Sequence, residues 1–543
     1  MTAMRIGKTT LVQHLKRRLH LFRYAHKHRL PFAEAAELSA AERSKRRTLL
    51  RMSLYGMNTV LAGIPLQQTT QHLKPFSSRV HSRLPRIAIL GAGIAGLHAA
   101  LILQRAGIPT TVYEGAQRLG GRMYTGYNLV AQGIWTELGG EFVGRAHKDI
   151  LRLAQEFGID VIDTDQESEK SLADTFFFGN RLRTESEVNE ALERLLITLE
   201  PTVKRWKSSR NTMSRMFSQV DELSAADYLS QLSQRGAQIE SWMYEYLRVL
   251  LLSEFGMEPD AMSALNLLSL LYADEEDYED VEVFKLRNGG SALIRNIATH
   301  LEHQNVPILT DHRLVRIHER GAGYTLSFER SNGSLIEQQA DIVLCCLPFT
   351  TLRQVELKVS LSPPQRQAIQ ELGYGTNAKV ILGTNRPVWR EQGFSGDLST
   401  DLALQSGWDS SRLQKPEQYS PALPAFPAAY TAFLGGNSGM QVTSSRSNAE
   451  HFTRGLDTVF PGVAAALTGN AYSIGWFAER FAMGSYTCCK PRQWTKLLPH
   501  VGRLDTHSLF FAGEHCSYRF RGYMNGAAET GRKVAEQIVR KFR

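Results

Sequence analysis

With 543 residues the chain is too long for one hydrophobic core, so two or three domains are expected. A hydrophobic share of 43% and a charged share of 22% are those of an ordinary globular protein and exclude a fibrous or low-complexity chain. The net charge of +9 is local: residues 1–51 hold 13 Lys and Arg against 3 Glu, so the rest of the chain stands near −1 and nucleic-acid binding loses its main support.

Residues 1–64 form a basic leader. Gly7-Lys8-Thr9-Thr10 resembles the end of a P-loop, but Thr2 stands where the first glycine belongs and no strand precedes it, which excludes that motif. Ser44-Lys45-Arg46-Arg47-Thr48-Leu49-Leu50-Arg51 and the apolar run Met52–Ile64 resemble a twin-arginine export signal, so a periplasmic or secreted location is expected. The alternative is a solvated basic tail with one short helix. Residues 65–85 read as a polar linker, and no later segment has the ~20 unbroken apolar residues of a membrane span.

The stretch Arg86–Arg122 carries the first strong pattern. Arg86–Leu90 has the length of a buried parallel strand, Gly91, Gly93 and Gly96 follow as G-x-G-x-x-G, and Ile94–Arg105 reads as a helix. A second strand, Thr110–Tyr113, ends at Glu114. In such a unit Gly91 permits the tight turn, Gly93 lets the backbone approach a pyrophosphate and Gly96 lets helix and strand pack closely. The helix N-terminus offers free N–H groups and about half a positive charge to phosphate. Glu114 is placed to accept from ribose hydroxyls. NAD and FAD both remain open at this point.

Beyond Glu114 come Arg118-Leu119-Gly120-Gly121-Arg122 and Glu137-Leu138-Gly139-Gly140. From about Lys148 to Asp280 the pattern is mainly helical, with amphipathic stretches Ile150–Phe157 and Ser241–Leu252. A turn signal over Leu286–Gly290 precedes a helix over Ser291–His300. Strands are predicted at Val306–Ile308, Arg313–His318, Tyr324–Phe328 and Ile342–Leu347, then a helix and β-rich stretch over Gln365–Gly383. Residues 395–450, rich in Gly, Ser, Pro and Ala, read as a loop-containing insertion. The chain ends with a strand over Leu509–Ala512, a glycine turn and a helix from about Asn525. Cys345, Cys346, Cys488, Cys489 and Cys516 fit neither a disulfide framework nor a metal site, and no metal is expected.

Four separated motifs in this order resemble the flavin-containing amine oxidase family, over about residues 86–543. They are the dinucleotide unit with its Gly120-Gly121-Arg122 extension, Glu137–Gly140, Tyr374-Gly375-Thr376-Asn377-Ala378-Lys379-Val380, and Phe511-Ala512-Gly513-Glu514-His515 with Gly522-Tyr523-Met524-Asn525-Gly526-Ala527. The resemblance implies an α/β fold in which a Rossmann-like FAD-binding domain is interleaved with an α+β substrate-binding domain. The FAD segments would be 86–147, 286–350 and 501–543. A mainly helical cap would cover 148–285, and a substrate segment 351–500 would contain the 395–450 insertion.

The same resemblance implies which residues meet the cofactor. Gly121 and Arg122 would stand on the phosphate side, although Arg122 could equally form a surface ion pair. Gly140, Gly513 and Met524 belong to the motifs that line the flavin, Val315 matches a backbone contact to adenine, and Glu514 matches the acid near the ribityl and phosphate region. Ser485 stands where monoamine oxidases carry the cysteine that bonds to FAD, so the flavin is expected to be non-covalent. Lys379 would hold a water against flavin N5. A lysine followed by Val380, Ile381 and Leu382 is costly to bury, which argues for a lowered pKa unless it snorkels to solvent at a strand end.

Tyr486 and Tyr523 match the pair that flanks the amine in monoamine oxidases, and two π faces would orient a neutral amine. Both are also ordinary core residue types. Phe142 replaces the arginine that binds the substrate carboxylate in animal-type L-amino acid oxidases. Arg145, Arg519 and Arg521 are nearby substitutes, and Glu141 would bind a basic side chain or cap a helix. The expected reaction is oxidation of a primary amine by O2, with L-amino acids the leading substrates. Polyamine or biogenic amine oxidation comes next, and a carotenoid-desaturase or protoporphyrinogen-oxidase type of chemistry, or a purely structural flavin, follows. A small-molecule substrate and O2 are the expected partners, and a homodimer is compatible with the reading.

Overall fold

The computed structural model describes residues 84–542 apart from 165–168, 170, 209–214, 235–238, 272–281, 415–425, 444–448 and 502–507. The twin-arginine stretch, the apolar run after it and nearly all of the 65–85 linker lie outside the described residues.

One half of the molecule is built on an open parallel sheet. Its strands lie in the order Ile308–Leu309, Thr110–Tyr113, Ile87–Leu90, Ile342–Cys345 and Leu509–Phe511. Ile87–Leu90 and Ile342–Cys345 are buried along their whole length, as happens where both faces of a parallel sheet are covered. Successive side chains point to opposite faces. Ile87 and Ile89 therefore meet Leu97, Leu101, Leu293 and Ile538 of the helices Ile94–Arg105, Gly290–His303 and Met524–Phe542. Ala88 and Leu90 share the opposite core with Ile317, Leu326 and Phe328 of the antiparallel strands Arg313–Arg320 and Gly323–Glu329. Each buried Leu, Ile or Phe side chain among these contributes about 1.5–3 kcal/mol relative to exposure. Gly531 brings the C-terminal helix directly onto Ile94–Arg105, since a Cβ there would stand 2.1 Å from the Ala95 carbonyl oxygen.

The other half centres on a seven-stranded sheet in the order Leu467–Gly475, Ala378–Thr384, Ala428–Leu434, Ser406–Asp409, Phe394–Thr400, Ala173–Phe177 and Leu182–Arg183. Ala378–Thr384 is buried throughout, between two antiparallel neighbours. Helices Ala225–Gln234, Ser241–Phe255 and Ala264–Leu271 build a separate apolar core around Tyr246, Leu247 and Leu265. The architecture is the α/β one expected, with a dinucleotide-binding half interleaved along the chain with an α+β half. No helix among the described residues is long and apolar enough to cross a membrane.

Two expectations need correction and two hold with a refinement. The 395–450 stretch is not chiefly loop: it supplies three strands of the large sheet, and Ser406–Asp409 and Ala428–Leu434 are buried at every residue. Strands buried on both faces and rich in Ser, Gly and Ala show no polar–apolar alternation, so their composition imitates a loop. The mainly helical cap also sends strands Ala173–Phe177 and Leu182–Arg183 into that sheet. The strand expected over Val306–Ile308 is Ile308–Leu309. Pro307 has no N–H to give and only its carbonyl, accepting from Val112 N, joins the ladder. The last helix starts at Met524, because Asn525 is already within it and turns its Oδ1 outward to the N–H groups of Asp149 and Ile150.

Candidate active site

A single cavity runs from the carboxyl ends of the parallel strands to the face of the large sheet. Gly91, Gly93, Glu114, Gly121, Arg122, Gly140, Lys379, Tyr486, Gly513, Glu514, Tyr523 and Met524 all line it, although they span more than 400 residues of chain. Two predicted residues do not. Gly96 lies behind the wall, where a Cβ would stand 2.0 Å from the Gly91 carbonyl oxygen, so its place is helix–strand packing. Val315 sits in a bulge of Arg313–Arg320, and the residues that this strand turns to the cavity are Arg313 and Leu314. Val315 itself is not among the residues that line the cavity.

The three glycines of the first turn act differently. Gly91 has φ +103°, a conformation that only glycine adopts without strain. Gly93 has an ordinary extended backbone, φ −75° and ψ 176°, and a Cβ on it would meet no protein atom closer than 3.9 Å. Its missing side chain therefore leaves room for something other than protein. The helix that starts beside it has neither a side-chain cap nor an acid in its first turn, so its N–H groups and dipole are free for an anion. Gly121, at φ +57°, faces Gly93 across this cradle. Glu114 is tied in from behind: its carboxylate accepts from Ala92 N at 2.8 Å and Ala116 N at 2.9 Å, while burial raises its pKa.

Arg122 and Glu514 join the first and last segments. The Arg122 Nη1 donates to Glu514 Oε1 at 3.0 Å and to the Ser485 carbonyl at 2.7 Å, so the pair is an inner-wall contact and not a surface one. Glu514 also accepts from Thr487 Oγ1 and from Gly522 N. Gly513, at φ +145°, carries the strand past His515, whose ring would otherwise be struck by a Cβ at 2.6 Å. Met524 lies over Gly140, where a Cβ would come within 2.8 Å of it. The helix Met524–Phe542 thus presents a second acid-free N-terminus to the same cavity.

The other end of the cavity is aromatic. Tyr486 and Tyr523 line it with Phe142, Trp408, Phe433 and Trp476. Consecutive residues at the end of helix Ser241–Phe255 tether the two tyrosines: Tyr486 Oη donates to the Ser253 carbonyl at 2.9 Å, and Tyr523 Oη lies 3.4 Å from Glu254 Oε1. Ser485 donates to Asn377 Oδ1 at 2.7 Å and leaves no thiol at this point for a covalent flavin bond. Lys379 does not snorkel. It is buried, and its Nζ donates to Glu137 O at 2.8 Å, Gly139 O at 3.0 Å and Glu141 Oε2 at 2.9 Å. An ammonium has three N–H donors. A water at Lys379 must displace one of these acceptors.

Glu141 caps no helix. Lys285 Nζ stands 2.9 Å from its Oε1, Trp408 Nε1 donates to the same oxygen at 3.1 Å, and Lys379 takes Oε2. Burial opposes its ionisation, but the two ammonium groups outweigh that and lower its pKa. Neighbouring Glu137 is pushed up to about 7 by burial, against the hydrogen bonds it accepts from Gly290 N and Thr125 Oγ1. Sequence reasoning missed Lys285, Trp408 and Phe433. A lysine inside the apolar strand Glu282–Leu286 carries the same signal that singled out Lys379. Trp408 and Phe433 lay within the stretch read as a loop-containing insertion. Arg145, Arg519 and Arg521 are not part of the cavity wall.

An elongated dinucleotide suits this chain: an anion cradle made of backbone N–H groups at one end, and flat aromatic walls with a buried lysine at the other. Residues 94–539 match the family model for flavin-containing amine oxidoreductases. An L-amino-acid oxidase from Siganus canaliculatus is 24% identical over 504 residues, covering 89% of this chain and 88% of that protein. A pseudooxynicotine dehydrogenase from a Pseudomonas species is 23% identical, over 83% of this chain and 85% of its own length. Among solved structures, cyclohexylamine oxidase from Brevibacterium oxydans superposes with a TM-score of 0.69 at 20% identity, covering 85% of this chain and 100% of that one. Putrescine oxidase bound to putrescine superposes with a TM-score of 0.66 at 18% identity, over 84% and 99%. The cradle, the lysine-bearing aromatic end and the match along most of the chain lead to one assignment: this chain belongs to the flavin-containing amine oxidoreductases and uses non-covalent FAD.

Proposed function

We propose that the protein oxidises a primary amine with O2, releasing an imine that hydrolyses to a carbonyl compound and ammonia, together with hydrogen peroxide. The substrate carries an apolar or aromatic group on the amine-bearing carbon. The observation that carries this reading is the convergence of Lys379, Tyr486 and Tyr523, with Phe142, Trp408 and Phe433, at one end of the cofactor cavity. Bound FAD supplies the hydride acceptor and the electron relay to O2. The chain supplies position and field. Tyr486 and Tyr523, fixed through Ser253 and Glu254, confine the amine and exclude water from the reacting carbon. Lys379 places a buried cation in the same wall, where negative charge that develops in the reaction is favoured.

L-Amino acids with apolar side chains come first, because L-amino-acid oxidases are among the relatives aligned over most of their length. The second reading is a carboxylate-free amine. The cavity's four arginines, Arg118, Arg122, Arg313 and Arg480, keep to the cradle side, while Glu254, beside Tyr523, stands behind the aromatic end. Matched pairs decide between the two: L-phenylalanine against phenethylamine, and L-leucine against isopentylamine, with peroxide as the readout. Peroxide from the amino acids alone selects the first reading, and from the amines alone the second. No peroxide from any of the four, nor from cyclohexylamine or putrescine, would sink the oxidase assignment.

A further inference from the structure

Lys285 is a fully buried lysine away from the cavity wall, and no role for it follows from the family resemblance. Its ammonium meets Glu141 Oε1 at 2.9 Å and donates to the Ser410 carbonyl at 3.0 Å, with the Trp135 ring 5.1 Å away. Glu141 in turn gives its other oxygen to Lys379. One carboxylate is therefore shared by two ammonium groups, and a lysine–glutamate–lysine chain leads from the protein interior to the cavity. Two other carboxylates face this chain, and among the described residues neither forms an ion pair with its lysines. Asp409, which faces Lys285, is held by Ser411, Trp389 and the Arg390 guanidinium at 3.7 Å. Glu137, which faces Lys379, is bound by Gly290 N and Thr125 and gives up its proton only near neutrality.

We propose that Lys285 is a positioning residue that acts through Glu141: it holds the carboxylate in register with Lys379 and leaves the cavity wall with a net positive charge. The proposal rests on the reading of Lys379 as the cation of the flavin end. Without Lys285, Glu141 would neutralise Lys379 one for one, and the wall would lose the field that favours anions. Removing Glu141 instead would leave two buried ammonium groups without the carboxylate that pairs with both, which is a more damaging change. The two residues therefore differ in kind: Glu141 is needed for the cluster to exist, and Lys285 sets its charge.

Sulfite tests this without any amine substrate, so failure here is separable from failure of the substrate reading. It is an anion that adds its sulfur lone pair to oxidised flavin and bleaches the yellow colour, which gives a dissociation constant for the FAD-loaded protein. Lys285→Gln, which can still donate to Ser410 O but carries no charge, is expected to weaken sulfite binding about tenfold or more. Lys285→Met should do the same, and Lys285→Arg, which keeps the charge, should stay within about threefold of the parent. Equal sulfite affinity in the parent and either neutral variant overturns the proposal. If both neutral variants lose FAD, Lys285→Arg decides: retained affinity supports a charge role, and a tenfold loss despite the retained charge refutes it.

Discussion

Gly93 and Gly96 lie three residues apart in one turn, and the same substitution should act on them in opposite ways. At Gly93 the backbone already has φ −75°, so alanine fits, and its Cβ would enter the cavity with the nearest protein atom 3.9 Å away. The apoprotein should change by less than about 1 kcal/mol, since the weaker N-cap preference of alanine is offset by its lower unfolded-state entropy. The methyl group would instead occupy the place of a phosphate. Losing two charge-assisted hydrogen bonds at about 1.5–3 kcal/mol each weakens FAD binding on the order of 10²- to 10⁴-fold. At Gly96 the Cβ would lie 2.0 Å from the Gly91 carbonyl oxygen, so helix and strand must separate, at a cost of about 3 kcal/mol or more to the apoprotein. Denaturant unfolding of the apoproteins and FAD titration by flavin fluorescence measure both quantities. The reasoning fails if Gly93→Ala binds FAD within threefold of the parent, or if Gly96→Ala apoprotein is as stable as the parent.

Two further outcomes are expected. Lys379→Met should keep FAD bound, because Glu141 retains Lys285 and the cradle is untouched, while turnover falls about 10²-fold or more; stopped-flow measurement of the two half-reactions checks this, and unchanged turnover removes Lys379 from the mechanism. Burial raises Glu137 from 4.5 to about 7, so the folded state binds its proton more tightly than the unfolded chain does. That contribution is complete below about pH 4.5 and is lost as pH rises through 7, a change of about 3 kcal/mol. The stability difference between Glu137→Gln and the parent should grow by about that amount in favour of glutamine from pH 4.5 to 8. His98 and His515, which burial lowers to about 4, act in the opposite direction, their contribution being lost as pH falls from 6.5 through 4. They are common to both proteins and cancel in the difference. A difference flat in pH would show that Glu137 titrates normally.

What could be read from the sequence was what depends on neighbours in the chain. The helix Ile94–Arg105 and the strand Thr110–Tyr113 have the bounds expected of them, because a glycine turn, apolar spacing and a short strand are local properties. Glu141 is the opposite case. Its partners lie on three strands far along the chain, and nothing beside it distinguishes a helix cap, a substrate ligand and an internal counter-ion. Val315 is a third case: a single bulge between Leu314 and Arg316 leaves Arg313 and Leu314 as this strand's cavity-lining residues, and a bulge leaves no mark in residue type. Trp408 was hidden because Ser406–Asp409 is buried on both faces, and periodicity reports burial only where the faces differ.

The order of the segments also bears on how the protein is made. Leu509–Phe511 closes one edge of the parallel sheet, Glu514 holds Arg122, and Met524 opens the helix that packs on Ile94–Arg105. All three leave the ribosome some 400 residues after the glycine turn. A nascent chain stopped short of Leu509 lacks all three, and so has a cavity without its Met524 wall, an Arg122 without its carboxylate and an open strand edge, the features that invite misassembly. Retained yellow colour is thus a report that synthesis has passed Met524, and copies terminated before Leu509 should be colourless and the first to aggregate.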